Sequence, residues 1–180
     1  MLNSKMSNVK RSTYAAVCIA LCVVLPMAFH MIQNAGNIFL PMHIPVLLCG
    51  LICGWPYGLL CAIFGPLLSN LLTGMPPAAY LPYMIVEVSV YGAATGILMK
   101  HIHTKNTCAD IYISMVLALL LGRVISGAVK YFMFAPGSYS MKIWVIGNFV
   151  TCIPGILFQL ILVPAIVFAL IKAKLIPGRY

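Results

Sequence analysis

The feature that most constrains this chain is a succession of long apolar runs without period-two alternation, broken by short stretches rich in Asn, Pro and Gly. Such runs read as membrane helices, because a helix needs about 20 apolar residues to cross a bilayer. A transmembrane barrel would instead alternate apolar and polar residues over segments of about 10. Composition agrees: 63% of the 180 residues are hydrophobic and only 7% are charged. A soluble domain carries about 25% charged residues. A soluble fold of this size also leaves roughly a third of its unfolded area exposed, too much for so apolar a chain. The sequence is that of an all-α, polytopic integral membrane protein. A soluble enzyme, a secreted disulfide scaffold, a nucleic-acid-binding domain and a disordered tail are excluded.

The spacing predicts six transmembrane helices, over residues 13–32, 44–54, 57–72, 78–100, 111–134 and 143–171. The second is too short to cross alone at about 1.5 Å per residue. The sixth is long enough to need a tilt or a kink, and Pro154 and Pro164 supply the sites. An even number of spans puts both ends on one side. Lys5, Lys10, Arg11, Lys100, Lys105, Lys172, Lys174 and Arg179 fall on that side, and Lys130 and Lys142 on the other. The positive-inside rule makes both termini and the loop Lys100–Asp110 cytoplasmic. The outer loops are then Gln33–His43, Thr73–Pro77 and Ala135–Lys142, almost free of charge. The basic N-terminus followed by an apolar run imitates a signal peptide, but no clean small-x-small cleavage site follows, so we read a retained first helix. The organisation expected is a cytoplasmic segment 1–12, a single six-helix domain 13–174 and a cytoplasmic tail 175–180.

Small residues recur at helical spacing. Gly50, Gly54 and Gly58 are four apart, as are Ala16 and Ala20, and such faces let helix backbones approach closely in lipid. For the glycines the expected partner lies within this chain. For Ala16 and Ala20 it is this chain or another. The seven cysteines include Cys18/Cys22 and Cys49/Cys53, each pair on one helix face within apolar sequence, and read as small, buried, reduced side chains. No C-x-x-C occurs, and neither a metal nor a cofactor is assigned.

Few groups could perform chemistry. There is no G-x-S-x-G elbow, no H-E-x-x-H and no G-x-x-x-x-G-K-[ST] loop. Asp110 suits the start of the fifth helix. Glu87 is the acidic residue within the spans, and Arg123 reaches a similar depth on the antiparallel fifth helix. An arginine near the bilayer centre costs about 2.5–3.5 kcal/mol on insertion scales, so a partner is expected. Two readings stay open: an ion pair locking two helices, or the floor of a solute pocket. In the second, Lys130 lies one heptad beyond Arg123 with Gly127 between, and Asn148 joins at similar depth. Lys130 would be the freer cation, with Glu87 already compensating Arg123. His30 and His43 flank the first outer loop, and Tyr80 and Tyr83 lie near the second, where they could line a pocket. Trp55, Tyr57 and Trp144 suit an aromatic belt. His101 and His103 read as solvated.

The stretches F-L-P-M-H-I-P-V-L-L-C-G (39–50), G-W-P-Y-G (54–58) and G-P-L-L-S-N-L-L-T-G-M-P-P (65–77) carry a family resemblance. With Glu87, Tyr91-Gly92, Gly122-Arg123, Lys130 and I-P-G-I (153–156), the chain resembles the substrate-binding S components of energy-coupling factor (ECF) vitamin transporters. The likeness spans nearly the whole chain. It implies six membrane helices with both termini inside, and uptake of a vitamin or vitamin precursor from outside by the outer loops and last three helices. It also implies reorientation in the plasma membrane, driven through a transmembrane coupling (T) subunit and two ATPase subunits on other chains. In the family an A-x-x-x-A pattern on the first helix meets the coupling subunit, which here falls on Ala16 and Ala20. The resemblance leaves the vitamin open, while Arg123 and Lys130 lean towards a carboxylate such as pantothenate. The substrate-binding residues expected are Glu87, Arg123, Lys130, Asn148, His43 and Tyr83. The rival classes are a membrane enzyme and a structural subunit of a larger membrane complex.

Overall fold

The computed structural model describes residues 6–28, 38–133 and 144–178. Among them the chain is helical without strands. The helices are α1 (Asn8–Ala28), α2 (His43–Cys53), α3 (Trp55–Thr73), α4 (Leu81–His101), α5 (Thr107–Met133) and α6 (Ile153–Lys172), with a π-helical segment, Ile146–Val150, before α6. Five of these are long and apolar enough to cross a membrane, and α2 is shorter. The outer surface is as apolar as the interior: Leu71, Ile161, Val124 and Leu157 are all exposed. Lipid rather than water suits such a surface.

Helix α2 is the centre of the bundle. All 11 of its residues are buried, and it packs against α1, α3, α4 and α6. A helix apolar all round belongs in a protein core or in lipid, and here it takes the core. It ends at Gly54, whose φ of 92° is a backbone region that only glycine adopts without strain. The chain reverses there directly into Trp55-Pro56, with the proline in the first turn of α3, where its missing N–H is harmless. The α2–α3 hairpin closes on α4 through glycine. A Cβ at Gly50 would collide with the Thr95 hydroxyl and the Gly92 carbonyl, one at Gly58 with the Gly92 carbonyl, and one at Gly96 with the Trp55 backbone. The expectation that Gly50 and Gly58 pack within this chain is met. Both meet Gly92, which with Gly96 forms a second four-residue repeat.

Both described chain ends lie at one end of the bundle. The Tyr14 hydroxyl donates to the Leu175 carbonyl at 3.1 Å, and the Cys53 thiol donates to the Arg11 carbonyl at 3.6 Å. The α4–α5 loop is held by Asp110, which accepts from the Thr104 amide at 2.8 Å and hydroxyl at 2.7 Å. Between α3 and α4, Gly74 caps α3 in the left-handed region, and the Asn70 amide donates to the Pro76 carbonyl at 2.6 Å. The cysteines are free thiols and six are buried, with Cys22 Sγ 4.0 Å from Cys61 Sγ between α1 and α3.

Some boundaries differ from the sequence reading. Helix α1 begins at Asn8 rather than 13, and the Ser7 hydroxyl accepts from the Lys10 amide at 3.4 Å. Hydropathy marks only the lipid-immersed part of a helix, not its wetted first turn. Similarly α5 starts at Thr107, before its apolar run. The single helix expected over 143–171 is broken at Thr151–Cys152, between the π segment and α6. Pro154 follows at once in the first turn of α6 and has no N–H to offer the preceding turn. The expected ends of the first and fifth spans, His30, Lys5, Lys142, Arg179 and most of the outer loops 33–43 and 135–142 lie outside the described residues.

The glycine contacts predict a sharp steric response. Gly92→Val should lower the thermal unfolding midpoint in detergent by the equivalent of ~3 kcal/mol or more, because backbone cannot yield as a side chain does. Gly147→Ala, where a Cβ meets nothing within 4 Å, is the control. Equal stability of the two variants would show that α4 does not depend on this contact.

Candidate functional site

Glu87 lies on α4, less than a tenth exposed. A buried carboxylate requires hydrogen bonds to both oxygens, and both are supplied. The Tyr91 hydroxyl donates to Oε1 at 2.7 Å, and the Ser126 hydroxyl on α5 donates to Oε2 at 2.8 Å. His43, the first residue of α2, brings Nε2 to 3.9 Å from Oε1. That distance is too long for a hydrogen bond but close enough for Coulomb attraction when the ring is protonated. The His43 and Tyr91 rings lie 5.2 Å apart. Helices α2, α4 and α5 therefore converge on one carboxylate.

The expected Glu87–Arg123 ion pair does not form. Glu87 is satisfied by hydroxyls, and Arg123 turns its guanidinium over the Phe149 ring of the π segment, 5.6 Å from the centroid. Arg123 is only 2% exposed. Among the described residues, its Nε and Nη2 have no hydrogen-bond partner. The two cations thus exchange the parts expected of them. Lys130 is not the freer one, since its Nζ sits 4.7 Å from the centre of the Tyr83 ring, within cation–π range, and Tyr83 meets Tyr80 edge-on at 5.7 Å. Nor is there a gap at Gly127, because the Trp144 indole lies where a Cβ would project. Trp144, assigned to an aromatic belt, instead packs inward and meets Phe149 edge-on at 5.4 Å.

Of the residues expected at the site, the structure brings Glu87 and His43 together directly and sets Arg123 beside them through Tyr91 and Ser126. Tyr91 packs on Gly122, the neighbour of Arg123, and Ser126 lies three residues beyond Arg123. Lys130 and Tyr83 form a second contact farther along α5. Asn148 lies on the π segment, but its side chain is outside the described residues. Sequence reasoning missed Tyr91, Ser126 and Phe149 as site residues, and also Gln159, which is fully buried on α6 with both amide atoms unpartnered among the described residues. Tyr91 was findable, since the i, i+4 spacing from Glu87 places both on one helix face. Ser126, Phe149 and Gln159 carry no such signal. Ala16 and Ala20 are both exposed on the outward face of α1, beside Val17 and Val24.

The carboxylate network predicts stability effects. Tyr91→Phe and Ser126→Ala should each destabilise the detergent-solubilised protein by ~1.5–3 kcal/mol, the worth of a hydrogen bond to a charged group. Unfolding midpoints unmoved in both variants would mean that these hydroxyls do not hold Glu87.

A model of the family described as "ECF transporter, substrate-specific component" matches residues 10–176. Neither the curated proteins nor the solved structures contain a significant match to the chain. Members of the matched family are transport subunits rather than enzymes. The match takes in all six helices, including the three that converge on Glu87, and an apolar outer surface is what such a subunit presents to lipid. This protein therefore belongs to the ECF transporter substrate-specific components, multi-pass proteins of the cell membrane.

Proposed function

We propose that the chain captures a vitamin or vitamin precursor at the outer side of the membrane and releases it inward. It does so in company with a transmembrane coupling subunit and two ATPase subunits. The observation that carries this reading is the polar layer of His43, Glu87, Tyr91, Arg123 and Ser126, all buried inside a largely apolar bundle. Ionisable groups within a membrane domain are expensive and mark solute pathways. Lys130 and Tyr83 sit towards the outer ends of α5 and α4, where a solute would enter, with Asn148 and the turn 73–77 on the same side. Pantothenate, a carboxylate, is the vitamin we favour.

The orientation proposed is six spans with both termini cytoplasmic, α2 completing its crossing with the residues that precede it. The common position of Tyr14 and Leu175 supports two ends on one side, and Lys10, Arg11, Lys100, Lys105, Lys172 and Lys174 supply the cytoplasmic charge. A cysteine added after Tyr180 in intact cells should resist a membrane-impermeant maleimide and react only after permeabilisation. Six native thiols are buried, so background is low. Labelling from outside would reverse the orientation.

Docking to the coupling subunit is proposed at Ala16 and Ala20, whose exposure on α1 supports a contact outside this chain. Small side chains there allow close helix approach. Detergent-purified protein should retain a B vitamin when screened against a panel. Ala16→Trp with Ala20→Trp should bind it equally well yet abolish uptake by the complete transporter. Loss of binding in the double variant would assign the pair to the fold instead, and failure of the wild-type protein to bind any compound of the panel would remove the proposed function.

A further inference from the structure

The guanidinium of Arg123 is a buried charge that the described residues satisfy only in part. Arg123 is 2% exposed, and its Nε and Nη2 are unpartnered among the described residues. Removal of a charge from water is tolerated when an opposite charge or good acceptors replace the solvent, and the nearby carboxylate does neither at bonding distance. Glu87 has both oxygens engaged by Tyr91 and Ser126. Phe149 covers one face of the guanidinium at 5.6 Å, an arrangement that leaves the in-plane N–H edge as the route for recognition. That edge is a fork matched to two acceptor oxygens in one plane.

Charge gives the stoichiometry. Arg123 and Lys130 face the single carboxylate of Glu87, which leaves one positive charge when His43 is neutral. A monoanion neutralises the site, a dianion overshoots, and a cation adds to the imbalance. The neighbouring surface also suits a small organic acid. Phe149 and Trp144 offer aromatic area, and Gln159, fully buried on α6, offers a donor and an acceptor that no described residue uses.

We infer that the substrate is a monocarboxylate, and that the Nε/Nη2 edge of Arg123, rather than Lys130, reads its acid group. This inference rests on the solute-binding function proposed above and narrows it to one chemical class. The π-helical segment Ile146–Val150 is the structural device that orients the edge. By carrying Phe149 onto the guanidinium face, it fixes the plane in which the carboxylate must lie. Single π turns of this kind recur at functional sites.

The test uses matched probes that differ at the acid group: pantothenate and pantothenol, nicotinate and nicotinamide, biotin and biotinamide. Binding to the full-length detergent-purified protein is followed by thermal stabilisation and tryptophan fluorescence, with thiamine and riboflavin in the same panel. In one pair, the acid should bind about 100-fold or more tightly than its neutral partner, as expected when a buried charge loses its counterpart. Arg123→Gln should collapse that ratio towards unity. A merely structural arginine would weaken both members alike and leave the ratio intact. Should Arg123→Gln fail to fold, the wild-type acid-to-neutral ratio decides alone. Equal binding of acid and neutral partner, or preference for thiamine or riboflavin, overturns the monocarboxylate while leaving solute binding in place. A ratio that survives in folded Arg123→Gln removes Arg123 as the reader. No binding by any probe removes the solute-binding function itself.

Discussion

The architecture depends on the backbone contact between α4 and the α2–α3 hairpin at Gly50, Gly58, Gly92 and Gly96. Water contributes no hydrophobic drive between helices within a bilayer, so packing must come from close approach. Four glycines at helical spacing provide it, and the Thr95 hydroxyl folds back onto the Tyr91 carbonyl at 2.7 Å rather than standing in the interface unpaired. The contact also sets a register. With Gly50 held against Gly92, the start of α2 is brought beside the N-terminal half of α4, so that His43 faces Glu87. The polar site is thus a consequence of where the glycines lock.

Charge inside that lock is handled in two ways. Glu87 is satisfied within the fold by two hydroxyls, one from its own helix and one from α5. This tolerates a carboxylate among apolar helices and ties α4 to α5. Arg123, one turn from Ser126, meets the face of Phe149, and its Nε and Nη2 have no partner among the described residues. Had the two side chains simply paired, the site would be a structural staple with nothing to offer a ligand. On the reading proposed above, the division into a satisfied anion and an incompletely satisfied cation would give this buried polar cluster a preference for what it binds. Membership of a substrate-specific transport family gives that preference a use.

Much of the fold was legible because a bilayer narrows the options. Long apolar runs must be helices, since no other open structure satisfies its own backbone in lipid, and the positions of Gly54, Pro56 and Gly74 mark where the helices end. The short second run was visible, and so were the small residues of the first helix. Helix starts were less legible: α1 and α5 begin before their apolar runs. The break before Pro154 was foreseeable as a kink site, but not as the end of a π turn.

The sequence by itself determined the class, the helices, the family and the presence of Glu87, Arg123, Lys130 and His43 among the helices, because hydropathy, helical period and residue identity are properties read along a single strand of text. It could not decide which of those groups bond to one another. Depth along a helix is set by rise per residue, and that suggested a Glu87–Arg123 pair. Rotation about each helix axis is set by packing, here by glycines on α2, α3 and α4 and by Trp144 on Gly127. Tertiary structure therefore decided that Ser126 and Tyr91 take the carboxylate, that Tyr83 meets Lys130, and that the guanidinium of Arg123 lies over Phe149 rather than against Glu87.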